Sequence, residues 1–235
     1  MRENTFRFKT FEIRQERSAM KVGTDGVLLG AWAAGSKVTD GKMRIMDIGS
    51  GTGLIAMMMA ERFPKAIIVG VEADHGAAEE SAINVAMSAF ADRIKICENR
   101  FEEYGGEEKY DVVVCNPPYF KDSLKCPDKG RLMARHGEDF DVAELCRFAR
   151  RHLKEDGVFA MIFPYDREDD VIRAADRLVL QRRLRVSGTK DGKIRRTLFE
   201  FGLKVENCVE ESEYVEKERG VRSEWYQKLT DRFYL

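Results

Sequence analysis

The sequence predicts an α/β protein built on a doubly wound, mostly parallel seven-stranded sheet with an antiparallel edge strand. Three observations carry this expectation. Short apolar runs alternate with helical patterns from Lys42 onward, which implies right-handed crossovers. The run DVVVCN at 111–116 lacks polar alternation, as a strand covered on both faces does. The alternation stops near residue 180, where two strand-like segments follow one another without a long helix between them.

The elements follow in order. MRIMDIG (43–49) predicts a first strand and GLIAMMMAERF (53–63) a buried helix. AIIVGVE (66–72) predicts a second strand, and 75–90 an amphipathic helix with Ala77, Ala78, Ala82, Val85, Ala86 and Ala89 at helical spacing. RIKIC (93–97) and DVVVCN (111–116) are the third and fourth strands. A helix is expected over 141–153, a fifth strand at VFAMIF (158–163) and a helix over 166–179. QRRLRVSG (181–188) and RTLFEFGLKV (196–205), joined by TKDGK, predict the terminal hairpin. No repeat or Pro/Ser-rich linker divides the 235 residues, so a single domain over 1–235 is expected, with 1–40 as an N-terminal extension.

Composition bounds the setting. Lys+Arg number 40 against 41 Asp+Glu, a formal net charge of −1, which taken whole argues against a polyanionic partner. No apolar run approaches the roughly 20 residues of a membrane span, and the charged first 18 residues do not resemble a signal peptide. The 5 cysteines and 3 histidines show no C-x-x-C or close Cys/His spacing, so free thiols in a reducing cytoplasm and no metal are expected.

The first chemical signal is Asp47-Ile48-Gly49-Ser50-Gly51-Thr52-Gly53, where a strand passes into a helix. Glycines there permit a sharp turn and a close approach of backbone to ligand. Glu72, at the end of the next strand, is placed to accept the ribose hydroxyls of an adenosine-containing ligand; the alternative is a tight turn with an incidental acid. The G-x-G-x-G spacing differs from the G-x-G-x-x-G of pyrophosphate binders. The leading Asp47 would repel phosphate but suits an ammonium, which favours S-adenosylmethionine over a dinucleotide.

The second signal is Asn116-Pro117-Pro118-Tyr119, at the end of the fourth strand. The prolines stiffen the turn and leave carbonyls without local donors. If the Asn116 side-chain oxygen and the Pro117 carbonyl both accept N–H bonds from an exocyclic amine, its lone pair is freed for in-line methyl transfer. Tyr119 offers a ring on which a flipped base can stack; the bland alternative is a rigid loop with a core tyrosine.

Together these segments resemble the class I amino-methyltransferases. Residues 19–32 (AMKVGTDGVLLGAW) and Phe233-Tyr234-Leu235 are similar to the bacterial tRNA(Val) adenine-N6-methyltransferases, over nearly the whole chain. The resemblance implies a Rossmann-like class I methyltransferase fold, S-adenosylmethionine as cofactor and methylation of the adenosine 3′ of the anticodon, with the tRNA anticodon stem-loop as partner. It also implies that Lys21, Gly23 and Thr24 lie near the methionine end of the cofactor, although Thr24 and Asp25 equally suit helix N-caps. Relatives carry an acid after the third strand to hold the cofactor adenine; here Arg100 stands in that place and Asn99 is the candidate substitute.

The neutral total hides segregation. Residues 1–21 hold 6 basic and 3 acidic residues, 121–135 hold 5 and 2, and 181–196 hold 7 and 1; 98–111 and 206–224 are acidic. Lys121, Lys125, Arg131 and Arg135, with Tyr119, are the candidate RNA contacts. Two alternatives stay open: the same chemistry on a guanine amine of ribosomal RNA or a release-factor glutamine, and a non-catalytic nucleotide-binding scaffold.

Overall fold

A computed structural model of the protein describes residues 4–35, 41–118 and 141–235. In chain order the elements are β1 (Thr5–Arg7), β2 (Glu12–Arg14), α1 (Thr24–Trp32), β3 (Arg44–Ile48), α2 (Leu54–Arg62), β4 (Ile67–Glu72), α3 (His75–Ala86), β5 (Ile94–Glu98) and β6 (Tyr110–Cys115). There follow α4 (Val142–His152), β7 (Leu153–Pro164), α5 (Glu168–Ala174), β8 (Val179–Thr189), β9 (Ile194–Gly202), β10 (Val209–Glu218), β11 (Val221–Arg222) and α6 (Glu224–Thr230). The helix expected over 166–179 is shorter because Asp176 adopts a left-handed φ of 50°, which ends the helical run.

The central sheet corrects two expectations. It has nine strands among the described residues, in the order β11-β10-β8-β9-β7-β6-β3-β4-β5, rather than seven. The antiparallel strand is not at the edge: β9 lies between β7 and β8 and runs antiparallel to both. The missed strand is β10, next to the two-residue edge strand β11, and in the sequence it reads only as an acidic stretch. It pairs parallel to β8, and its Glu210 and Glu211 meet the arginines of that strand. Arg183 and Arg185 each bridge Glu210 of β10 and Glu168 of α5, while Arg182 reaches Glu211 and Glu200 and stacks on Trp32. Glu168 is buried, yet bonds from Arg185 and Thr197 outweigh its desolvation and hold its carboxyl below the usual range.

Alternating side chains fill two layers. Ile45, Val112, Val114, Ala160, Ile162 and Leu198 face α1, α2 and α6, whereas Met46, Val113, Phe159, Met161 and Phe199 face α4 and α5. The described part of the N-terminal segment belongs to the first layer: Val27, Leu28 and Leu29 are at most 1% exposed. Ahead of α1, Phe8 stacks on Phe11 at 4.7 Å and on Tyr234 at 5.8 Å, and the Lys9 N–H donates to the Phe233 carbonyl.

Two glycines let α1 approach α2. A Cβ on Gly26 would stand 3.0 Å from the Leu54 side chain, and one on Gly30 2.7 Å from Met58 Sδ and 3.1 Å from Met58 Cβ. Gly30→Ala is therefore expected to cost about 1–3 kcal/mol despite the higher helix propensity of alanine. A lowered urea midpoint with an unchanged slope checks this, and an unchanged midpoint contradicts it.

Candidate functional site

Sheet register alone brings the two sequence motifs together. β3 lies between β4 and β6, and the chain leaves β3 for β4 on one side while β6 returns on the other. Ligands bind outside the carboxyl ends of strands at such a switch point. Ile48 pairs with Val71 and with Cys115, so the residues that follow, Gly49 and Asn116, leave the sheet side by side. They open on a cleft of about 520 Å³ lined by Met20, Lys21, Gly23 and Thr24 on one wall, and by Gly49, Gly51 and Asn116 on the other.

The glycine turn is left-handed at φ 67°, 53° and 81° for Gly49, Gly51 and Gly53. A Cβ on Gly49 would meet nothing within 4 Å, so the need for glycine there is conformational, and the turn presents bare backbone to the cleft. Gly53 does not line the cleft; it is the N-cap of α2, and a Cβ there would fall 2.8 Å from Ser81 Oγ.

Asp47 ends β3, 1% exposed. Its Oδ2 accepts from the Ala56 N–H at 3.0 Å, whereas Oδ1 is buried without a hydrogen-bond partner. Burial pushes the carboxyl up to about 8, with a smaller contribution from the Glu72 charge, against the lowering bond from Ala56. Glu72, half-buried, accepts from the Gly51 N–H at 2.8 Å and the Asp74 N–H at 2.9 Å, tying the glycine turn to the end of β4. Asn99, half-buried, donates its backbone N–H to the Glu72 carbonyl, and the exposed Arg100 pairs with Glu102.

An orphaned buried carboxylate oxygen invites a cationic donor. That oxygen lies behind a glycine turn whose N–H groups at Gly49, Ser50, Gly51 and Gly53 are already spent on Val71, Glu72 and Ser50, which suits a ligand bearing an ammonium and no pyrophosphate, as S-adenosylmethionine does; Asp47, Glu72 and Asn99 themselves do not line the cleft.

The wall at 20–26 is held by α3. The Glu80 carboxylate, 4% exposed, accepts from the backbone N–H groups of Glu16, Arg17 and Ser18. Asn84 accepts from the Arg14 N–H and donates to the carbonyls of Arg14 and Thr52, linking the incoming strand to the glycine turn. Burial raises Glu80, but the bonds from Arg17, Ser18 and Glu16 prevail and hold it below the usual carboxylate range. A depressed folded value contributes stability above the unfolded pKa that is lost as pH falls through the folded value. Glu80→Gln is accordingly expected to cost about 1.5–3 kcal/mol at pH 7, with the gap to wild type closing below about pH 4. Denaturant titrations at the two pH values check this; a gap independent of pH contradicts it.

Sequence reasoning missed several cleft residues. Asp25 and Arg196 form an ion pair at 2.7 Å on the rim. Asp25 sits in the 19–32 segment, where its local pattern suggests a helix cap alongside Thr24; in the structure Gly23 is the N-cap, with no side-chain cap bond. Arg196 carries no local signal, since only the course of β9 returns it to this edge. Ser50, Thr52, Leu54 and Ile55 line the cleft as neighbours of the glycines. Pro117 is buried and Pro118 half-buried behind Asn116. Tyr119, Lys121, Lys125, Arg131 and Arg135 lie outside the described residues.

Residues 35–169 match the methyltransferase small domain family. A tRNA1(Val) (adenine(37)-N6)-methyltransferase of Bacteroides thetaiotaomicron is 43% identical over 233 residues, 98% of this chain and 97% of that protein. Among solved structures, a predicted O-methyltransferase from Agrobacterium tumefaciens has a TM-score of 0.67 at 20% identity, over 90% of this chain and 98% of that one. The glycopeptide N-methyltransferase MtfA in complex with S-adenosyl-L-methionine has a TM-score of 0.57 at 11% identity, over 78% and 100%. These two likenesses speak to the fold.

Proposed function

The chain belongs to the methyltransferase small domain family and, within it, to the tRNA1(Val) (adenine(37)-N6)-methyltransferases, and from that premise we propose how its residues divide the work. It is an S-adenosylmethionine-dependent tRNA adenine-N6-methyltransferase. The assignment of roles rests above all on one observation: Asn116 opens on the same cleft as Gly49, Gly51 and the 20–24 wall.

When bound, S-adenosylmethionine supplies a methyl group activated by a sulfonium. Asp47 holds the ammonium of the methionine end, Glu72 accepts the ribose hydroxyls, and the backbone of Gly49, Gly51 and Gly53 shapes the turn that brings the chain against the ligand. Lys21, Gly23 and Thr24 close the methionine end, and Asn99 takes the adenine side where relatives use an acid. The Asn116 side-chain oxygen and the Pro117 carbonyl accept the two N–H bonds of the adenine 6-amino group, drawing its lone pair out of conjugation. Pro118 fixes the turn and Tyr119 stacks on the flipped base. No strong base is needed, since the methylated ammonium is acidic and gives up its proton readily.

The substrate contact is the anticodon stem-loop, engaged by Lys121, Lys125, Arg131 and Arg135, and residues 1–235 act as one methyltransferase domain. Among the described residues no helix is long and apolar enough to cross a membrane, and action on tRNA supports a cytoplasmic setting. Nucleoside mass spectrometry of a tRNA1(Val) transcript, after incubation with protein and methyl donor, tests the substrate. N6-methyladenosine at position 37 is the expected product; methylguanosine, or a methylated release-factor glutamine instead, overturns the reading.

A further inference from the structure

The basic run at 181–196 resolves into two populations in the folded protein. Arg182, Arg183 and Arg185 lie along β8 and are consumed by Glu168, Glu200, Glu210 and Glu211. They hold the sheet together, and little of their charge is left for a ligand. Arg196 is turned to Asp25 at the cleft rim. The remaining three, Lys190, Lys193 and Arg195, are exposed in and beside the β8–β9 turn.

The topology fixes where that turn lies. β8 runs parallel to β10 and antiparallel to β9, and β9 runs antiparallel to β7, with Arg196 opposite Pro164 at the carboxyl end of β7. The turn from Thr189 to Ile194 therefore projects from the carboxyl edge of the sheet, the edge on which Gly49 and Asn116 open. Lys193 immediately precedes β9, and Arg195, the extra residue of a β-bulge opposite Val186 and Ser187, adjoins Arg196. The cations thus lead to a residue that lines the cleft itself. The turn is also well braced: the Gly192 N–H and the Ser187 hydroxyl both donate to the Thr189 carbonyl, at 2.9 and 2.6 Å. Its acids are Asp191 within the turn and Glu216, in register with Thr189 at its base.

We propose that the β8–β9 turn is a phosphate-docking rim, on which Lys190, Lys193 and Arg195 hold the backbone of the tRNA strand whose base enters the cleft beside Asn116. This rests on the tRNA reading above and adds to it a second basic segment, distinct in sequence from residues 121–135. A preordered cationic turn outside the chemical centre suits a polyanion whose sequence is read elsewhere: it positions the strand and contributes no base discrimination. It also accounts for a neutral protein that acts on RNA. Part of the surplus charge stands on the edge where the nucleic acid enters, while the basic strand β8 is internally neutralised.

The test uses the full chain, a tRNA1(Val) transcript and methyl donor. The triple variant Lys190→Ala, Lys193→Ala, Arg195→Ala should raise the KM for tRNA roughly 10-fold or more, with kcat and donor affinity within about twofold of wild type. The dependence of log K on log salt should become shallower by nearly one for each phosphate that the variant no longer neutralises. Lys190→Arg with Lys193→Arg should keep the wild-type KM, since a phosphate asks here for charge and not for one head group. If wild type methylates the transcript while the triple variant keeps its KM and salt slope, the rim is refuted and the tRNA reading stands. A fall in kcat alone refutes the rim too, because docking would leave the chemical step intact. Failure of wild type itself to methylate tRNA overturns the underlying reading, and the rim with it.

Discussion

Asn116→Ala should lower kcat by about 10²–10³-fold while leaving S-adenosylmethionine affinity within about twofold of wild type. The half-buried side chain stands at the end of β6, set beside Gly49 by the pairing of Ile48 with Cys115. A Cβ added at Gly26 would stand 3.9 Å from Asn116 Nδ2, at ordinary van der Waals contact, so the first turn of α1 flanks the amide without crowding it. Alanine removes the acceptor but none of the strand, the cradle or the carboxylates, so cofactor binding and turnover separate. Asn116→Asp keeps an acceptor in place and should retain more activity than the alanine variant. Isothermal titration of the donor with single-turnover methylation of tRNA resolves the two quantities. Equal turnover by wild type and Asn116→Ala would show that the amide takes no part in positioning the amine.

Asp47→Asn should act in opposite directions on binding and on stability. The carboxyl is raised to about 8 in the folded protein against an ordinary value of 3.8. Between those values the unfolded chain is ionised and the folded one still holds its proton. The folded state therefore binds more protons, and stability falls as pH rises through this window. Asparagine cannot ionise, so the variant loses that slope: it should match wild type near pH 4 and exceed it at pH 8, by on the order of a few kcal/mol. The same change deprives an incoming ammonium of its counter-charge, and donor affinity should drop about 30-fold or more. Thermal melts from pH 4 to pH 9 read the first effect and calorimetry the second. Parallel pH profiles for the two proteins would show that Asp47 is not a protonated acid in the free enzyme.

Much of this was legible in the sequence because the signals were local. The strand at 43–49, the glycine turn and the apolar strand at 111–116 each carry their pattern within a few residues, and all three appear nearly where expected. Of the residues in those motifs, Gly49, Gly51 and Asn116 line the cleft, while Asp47 and Gly53 do not. What escaped were features set by pairing partners far along the chain. β10 alternates no apolar residues and is tied to β8 by the ion pairs of Glu210 and Glu211 with Arg182, Arg183 and Arg185, so its sequence alone reads as a solvated acidic stretch. The place of β9 between β7 and β8 depends on which neighbour wins the hydrogen bonds, and a hairpin pattern is silent on that. Arg196 reaches the cleft, and Glu80 and Asn84 its supporting wall, through the same long-range register. The charge run at 181–196 reads as one basic surface along the chain, whereas burial and ion pairing divide it in the fold.

The acidic strand β10 has a consequence for the behaviour of the protein in concentrated solution. Apart from the two-residue β11, β10 ends the sheet, and its backbone is the face on which a second chain could add. Beyond Glu210 and Glu211, which pair with the β8 arginines, the strand carries Glu213, Glu216 and Glu218, so two copies brought edge to edge repel one another. The protection is a matter of charge and therefore of acidity: Glu213 already titrates above its ordinary value through burial and the neighbouring Glu211 charge. When Glu213 takes up its proton, strand-to-strand addition between copies loses part of its opposition, and acidification favours self-association.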